Sequence, residues 1–535
     1  MVLDAMAFSG IGTLAAPADW FDVANWTDLS GGADHIPTPA DDVAIPGGVG
    51  VVSISGGRLA EVNSIVTVAG STLIITSGPP QPSQLKIDNN PPTSGPPGFP
   101  LSPVPGSNYF GGSVIDAGLI NLNSSGPGGT QAIFASGALI GPGDLNGNLD
   151  AGPNSSFTFA AGSTGEFTTG ATLGTGSGSV IVSAAVQIDG TLQDNTMTMV
   201  LSGGLLSGPT ATTGALDEYA IFSWLSGTLA LGGGTTIEGS GELLASGAGA
   251  KALAGTLTNM SPLSRLDGGA PLSLGAPGIG PGTLISATGT LEISLPAITG
   301  VPGSLFSNLP LGTIQATSPA SAPTVISAPF LNDGLLSVTS GAGLVLSNTA
   351  MGAAPDVLDG VFQLMGNVTL LGAFTSVNGF MLDSGPGFLE VGNPGGGGGT
   401  AVLTVPVGAI DTLEGNLEVN TFSTLTGGGE VDNPGYLQLD LSSSTVGLAS
   451  YVQRSSGTLA LAVGGGFGAP AALTVTGPAQ MSGTLVLLGY TPMVGKSFKV
   501  VTAGAVSGHF DTIPDGMSET DTSTSITVTQ VRPPA

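Results

Sequence analysis

The sequence predicts an all-β chain folded as a parallel β-helix, or β-solenoid, with an N-terminal cap and a β-rich C-terminal end. Three observations carry this. Only 8% of the 535 residues are charged and 41% are hydrophobic, while Gly (90) and Pro (39) make up about a quarter of the chain. Short apolar or alternating runs recur between Gly, Asn, Asp and Ser, which is the pattern of strands and turns. The tripeptide Gly-Thr-Leu occurs eight times, and self-similarity at a period of roughly 20–30 residues marks a repeat architecture.

Each observation bears on the elements. A Gly+Pro share this high borders on low-complexity composition, but a chain this apolar has the surface to bury. Gly, Ser and Thr interrupt almost every stretch in which the good helix formers could act. Strands are expected at 51–54, 64–68, 72–76, 179–182, 335–338, 343–346, 401–405 and 525–528. The Gly-Thr-Leu units begin at Gly12, Gly190, Gly227, Gly255, Gly282, Gly289, Gly457 and Gly483. Ser-Gly-Thr-Leu-Ala-Leu stands at both 226–231 and 456–461, and Ser-Gly-Thr-Leu-Val-Leu at 482–487. A second unit has a turn, a Gly and then alternating apolar residues, as in Asp116-Ala-Gly-Leu-Ile-Asn-Leu, Asn332-Asp-Gly-Leu-Leu-Ser-Val and Asn433-Pro-Gly-Tyr-Leu-Gln-Leu. In a solenoid, small or branched aliphatics stack inward, Ser, Thr and Asn face out, and Gly, Asn and Asp turn the corners.

The expected organisation follows. Residues 1–50 form the cap and first strand, and 51–260 a solenoid with a Pro-rich loop at 78–106. Residues 261–330 are Pro-rich coils or an inserted subdomain, 331–450 solenoid, and 451–535 closing β coils. Prolines cannot donate to a ladder, so 78–106 is expected to leave the stack at a corner. The five glycines 395–399 are expected to form an external turn.

Composition removes several functions. Eight Lys and Arg against 36 Asp and Glu leave no basic footprint for nucleic acid and none for anionic lipid. No stretch approaches the ~18–20 apolar residues of a membrane helix, so no membrane insertion is expected. The first ten residues lack a basic region and a sustained apolar run, so the numbered chain is expected to follow processing or to use an export route without such a leader. Without Cys there are no thiolate nucleophiles or Cys-bound metals, and His35 and His509 are the only histidines available to a His-based site.

The segment Asp19-Trp-Phe-Asp-Val-Ala-Asn-Trp, followed by Pro37-Thr-Pro-Ala-Asp-Asp-Val-Ala-Ile-Pro, resembles the opening of bacterial extracellular β-helix repeat proteins. These are the autotransporter-passenger and filamentous-haemagglutinin-like surface proteins. The stretch from Tyr451 is similar to a common ending of that group: Tyr-Val-Gln-Arg-Ser-Ser-Gly-Thr-Leu, then Ala472-Leu-Thr-Val-Thr-Gly, then Pro492-Met-Val-Gly-Lys-Ser-Phe-Lys-Val. The resemblance implies an extracellular or cell-surface location in a bacterium, and no catalytic residues. Trp20, Phe21 and Trp26 would cover the open end, and Asp41-Asp42 would turn the chain into its first strand.

The residues themselves give the same answer on chemistry. The acidic groups Asp41-Asp42, Asp217-Glu218, Asp411/Glu414/Glu418 and Glu430/Asp432 have no Arg, Lys or His beside them in sequence and are expected to be corners or solvated faces. The sequence therefore assigns no catalytic, cofactor-binding or metal-ligating residue. Asp22, Asp34, Asp41 and Asp42 are the candidate ligands for a structural calcium ion. The expected function is a non-enzymatic extracellular structural protein: a subunit of a self-assembling filament, sheath or surface layer, or an adhesin stalk. Its expected partners are copies of itself joined head-to-tail, and host or matrix glycans. The alternative is a carbohydrate-active β-helix enzyme or glycan-binding module, which would need at least two converging carboxylates.

Overall fold

The computed structural model describes residues 4–533 except 14, 47–48, 68–70, 76–83, 88–106, 111–112, 117–118, 123–130, 135–137, 142–147, 152–155, 160, 162–163, 168–171, 174–176, 211, 276–277, 279, 349–355, 384, 392–400, 421–422, 441–444, 464–471 and 492; within 107–151 it describes strand backbones alone. Strands account for 62% of the chain, and the fold is a parallel β-solenoid. Among the described residues the sole helical element is a 3-10 turn, Val23–Asn25. Two compact units are present, 1–265 with 275–283, and 266–274 with 284–535.

In the first unit, inward side chains stack in columns because a parallel ladder repeats the same face at every rung, ~4.8 Å apart. One column runs Phe157, Val180, Met199, Phe222 and Leu243; its neighbour runs Phe159, Val182, Leu201, Trp224 and Ala245. All ten are fully buried. Large rings alternate with smaller side chains, so successive layers interdigitate.

The second unit obeys the same rule. Leu344, Val368, Leu389, Leu417, Leu437, Leu459 and Leu485 form one column of register partners, each at most 1% exposed. At roughly 1.5–3 kcal/mol per fully buried aliphatic side chain, such columns supply the main stabilisation. The near-identical hexapeptides 456–461 and 482–487 lie on successive rungs, with Leu459 opposite Leu485 and Leu461 opposite Leu487.

The recurring tripeptide has a physical reason. Its leucine points inward in seven of the eight copies: Leu192, Leu229, Leu257, Leu284, Leu291, Leu459 and Leu485 are at most 1% exposed. In the copies at Gly227, Gly255, Gly282, Gly457 and Gly483 the glycine sits under a carbonyl of the preceding turn. A Cβ on Gly227 would lie 2.3 Å from the Gly204 carbonyl oxygen, and one on Gly483 would lie 2.3 Å from that of Gly457. Both also hold positive φ, 100° and 72°, where L-residues are strained. The copy at Gly12 instead makes a bridge with Gly50, and Leu14 lies outside the described residues.

Turn length varies more than the sequence spacing implies. Ser179 pairs with Thr198 after 19 residues, whereas Met381 pairs with Thr412 after 31. Corners absorb the difference while the strands keep register. Inside the expected Pro-rich loop, Gln84–Ile87 is a strand paired with Leu59–Val62 and Leu119–Leu122. The rest of 78–106 and the pentaglycine 395–399 lie outside the described residues. Within 284–330 of the second unit the Pro-studded chain forms ladder strands: Ala297–Gly300 pairs in parallel with Thr324–Ile326, and Leu305–Ala316 with Phe330–Asn332.

Buried amides extend the stacking to polar residues. Asn308 Nδ2 donates to Asn332 Oδ1 at 2.8 Å, and Asn332 Nδ2 donates to the Asp359 carbonyl at 2.7 Å. Both residues are fully buried, so the bonds satisfy groups that water cannot reach.

The first and the last strands of the described chain depart from parallel pairing. In the first unit, Asp4–Phe8 pairs in parallel with Asp41–Ile45 and antiparallel with Trp26–Asp28. Trp20 and Trp26 are buried, their rings 4.7 Å apart, and Trp26 Nε1 donates to the Trp20 carbonyl at 2.6 Å. Phe21 does not join them; it is half-buried under the Arg58 guanidinium, 4.0 Å from its ring centroid. Asp41 and Asp42 are the first residues of a strand, and the turn that leads into it closes between Thr38 and Asp41. In the second unit, Ser497–Thr502 pairs antiparallel with Ser525–Gln530, which pairs antiparallel with Met517–Thr522.

Candidate functional site

Stacking that brings identical core positions together does the same for outward ones. Register partners Thr369, Glu390, Glu418 and Gln438 form one outer column of the second unit. Two residues earlier on the same strands, Phe388, Asn416 and Tyr436 form another, with the two rings 6.2 Å apart edge to face. Two carboxylates and two aromatic rings thus share one face.

Hydrogen bonds fix this face. Asn367 Nδ2 donates to Glu390 Oε1 and Thr369 Oγ1 to Glu390 Oε2, each at 2.9 Å. Gln438 Nε2 donates to Glu418 Oε1 at 2.8 Å and to Asp440 Oδ1 at 3.0 Å, and the Tyr436 hydroxyl donates to Gln438 Oε1 at 3.0 Å. Burial raises the Glu390 carboxyl, against the pull of its two donors. Burial, with the Asp440 and Glu390 charges, pushes Glu418 up to about 7. At neutral pH Glu418 is therefore a mixture of acid and carboxylate and can donate or accept.

Carboxyls on adjacent parallel strands have about the ~5 Å separation of a retaining glycosidase pair. Both Glu390 oxygens accept hydrogen bonds and the residue is only 6% exposed, so little of this carboxyl faces solvent. Tyr436, Gln438, Glu418 and Asp440 thus form one hydrogen-bonded polar rim beside the aromatic rings.

The sequence-flagged acidic groups disperse. Asp411 is buried, Glu414 is exposed, and only Glu418 joins the cluster. Glu430 accepts from Ser450 Oγ at 2.9 Å. Two basic partners do lie beside these groups, contrary to expectation: Arg454 makes a two-pronged pair with Asp432 at 2.7 and 2.8 Å, and His35 Nε2 meets Asp41 Oδ2 at 3.2 Å. Glu390 was not singled out in sequence because its partner Glu418 lies 28 residues further on. The signal was present as Leu389-Glu-Val and Leu417-Glu-Val, the same tripeptide one turn apart.

The four calcium candidates each accept hydrogen bonds from their own surroundings. Asp22 caps the 3-10 turn by accepting from the Ala24 amide, Asp34 accepts from the Asp28 amide, and Asp42 accepts from Asn63 Nδ2. Asp41 Oδ2 takes the Thr38 amide and hydroxyl. Among the described residues no three acidic or His side chains converge as a metal site. A shallow groove of about 290 Å³ in the first unit is lined by Leu205, Ser207, Pro209 and Thr210 with several glycines, and carries no ionisable side chain. No protein-family model matches the chain, and no curated protein matches it. Fold and repeat pattern make it a β-helix repeat protein.

Proposed function

We propose that this chain is a non-enzymatic extracellular structural protein, a β-solenoid stalk of the kind seen in bacterial autotransporter passengers and haemagglutinin-like adhesins. The observation that supports the reading is the stacking of inward columns within each unit, together with antiparallel strands at the first and last strands of the described chain. Quiet surfaces, no Cys and a net charge of −28 suit an exposed spacer. Head-to-tail joining of copies needs an uncovered strand edge. The strand Met517–Thr522, paired with Ser525–Gln530, carries an exposed Asp521 beside Glu519. Burial and Asp521 push the Glu519 carboxyl up to about 7, and negative charge on two approaching copies repels. In this reading the covering strands hold the stalk in a discrete form.

Sedimentation and electron microscopy of the purified chain, with and without calcium, test this. Wild type is expected to give monodisperse particles under both conditions. Glu519→Val with Asp521→Val is expected to give chains of copies. Filaments from wild type would reverse the assignment in favour of a self-assembling subunit.

The Glu390–Glu418–Tyr436 face supports a second reading, a glycan-binding module. Tyr436→Ala is then expected to weaken retention on an immobilised acidic or neutral polysaccharide at least tenfold, and Glu418→Gln to remove its pH dependence near 7. Release of reducing ends by wild type, lost in Glu418→Gln, would establish an enzyme instead.

A further inference from the structure

Two carboxyls stand one above the other inside the first unit. Thr191–Asp194 and Ala215–Glu218 pair in parallel with Asp194 opposite Glu218, and both residues are fully buried. The backbone fixes one oxygen of each. Asp194 Oδ1 accepts from the Met197 amide at 3.0 Å and the Thr196 amide at 3.3 Å; Glu218 Oε1 accepts from the Ala220 amide at 3.0 Å. The other two oxygens, Asp194 Oδ2 and Glu218 Oε2, are buried without a hydrogen-bond partner.

Nothing cationic is at hand. Residues 87–250 contain no Lys, Arg or His. On the next strand the register partner of Glu218 is Ile237, and on the other side Thr172 pairs with Gln193. The core residues of these strands and the following turn, Leu192, Leu216 and Met197, are apolar and fully buried. The other titratable groups on these elements are Asp217, Tyr219 and Glu238, which act on one another: Asp217 is raised by burial and by Glu238, Tyr219 by its hydrogen bond to Glu238.

Two bare anions one strand spacing apart in such a place would be unsolvated and mutually repelled. A calcium ion would find two free oxygens where it takes six to eight ligands. A proton needs only one of them. We propose that the Asp194–Glu218 pair keeps one proton at neutral pH, carried on one of these two oxygens, and that this proton latches the turns 195–197 and 219–220, which open when it is lost at alkaline pH. Burial raises both carboxyls, and the Asp194 charge raises Glu218 further. The folded chain thus binds protons that the unfolded chain has released, and the latch weakens as pH rises.

Glu218→Gln and Asp194→Asn replace the proton with an amide N–H of nearly the same shape. Hydrogen exchange of the full chain, corrected for intrinsic rates, is expected to show the amides of 195–197 and 219–220 opening about tenfold more per pH unit once the pair titrates. In either variant that rise is absent. The infrared band of protonated carboxyl at pH 7 is expected to shrink in both. An unchanged pH profile in both variants overturns the latch. So does closure of the wild-type turns at high pH by added sodium, potassium or calcium, which would place a cation between the oxygens.

Discussion

Between pH 5 and pH 9 the second unit is expected to lose about 3 kcal/mol of stability through one residue, Asp411. Its carboxyl is 1% exposed, and burial pushes it from the ordinary 3.8 up to about 7, with the Asp359 charge adding to the shift. The Phe380 amide donates to Asp411 Oδ1 at 3.2 Å and opposes the rise only partly. Because the folded state holds the proton more tightly, this stability is complete below about pH 4, falls as pH climbs through the folded value, and is flat above it. The whole effect is about 3 units at 1.36 kcal/mol each, or about 4 kcal/mol. Urea midpoints read by hydrogen exchange of peptides covering 380–413 measure it. Asp411→Asn keeps the bond from Phe380 and offers an amide to the neighbouring Ser376 side chain, so its midpoint is expected to change little with pH. A wild type as stable at pH 9 as at pH 5 would show that Asp411 is ionised at little cost, through water or a cation reaching it.

The fold was legible where chemistry repeats. Gly-Thr-Leu announced a turn because in most copies its glycine must lie under a carbonyl and its leucine must enter the column, two demands that few other tripeptides meet. The site was legible in a different degree. Glu390 and Glu418 are made neighbours by register alone, and parallel register partners lie anywhere from 18 residues apart, as Asp356 and Phe374, to 43 apart, as Val66 and Tyr109. Aligning Leu389-Glu-Val with Leu417-Glu-Val would have found the pair, but spacing by an average period would not. The interior carboxyls were harder still. Asp217-Glu218 reads as a solvated corner by composition, yet alternation places Asp217 outside and Glu218 inside. An inward acid at a strand end looks the same in sequence as an outward one, and only its distance from any basic residue hinted at a retained proton. Asp432 and Arg454 show the converse, since 22 residues of chain separate two charges that the next rung brings to 2.7 Å.

Trp26→Ala is expected to cost about 3–5 kcal/mol, the range for emptying a buried aromatic site, and to spend it locally. Trp26 holds three things together: its indole N–H bonds the Trp20 carbonyl, its ring meets Trp20 at 4.7 Å, and its other edge meets Phe8 at 4.8 Å. Removing it uncovers the outer edge of Asp4–Phe8 and leaves Trp20 facing water. In a ladder each rung rests on its neighbours alone, so a loss at an end frays inward, while a loss in the middle weakens the rungs on both sides. The three tryptophans allow this to be seen directly. In Trp26→Ala the emission of Trp20 is expected to shift to the red and proteolysis to cut within 1–46, while Trp224, fully buried in the column between Leu201 and Ala245, keeps its blue emission. Trp224→Ala removes a side chain of the same size but is expected to lower the melting temperature of the whole first unit, with Trp20 and Trp26 reporting the same transition. If the two variants melt alike, the rungs are coupled over the full unit, and the end strands are part of one cooperative core instead of a cover laid upon it.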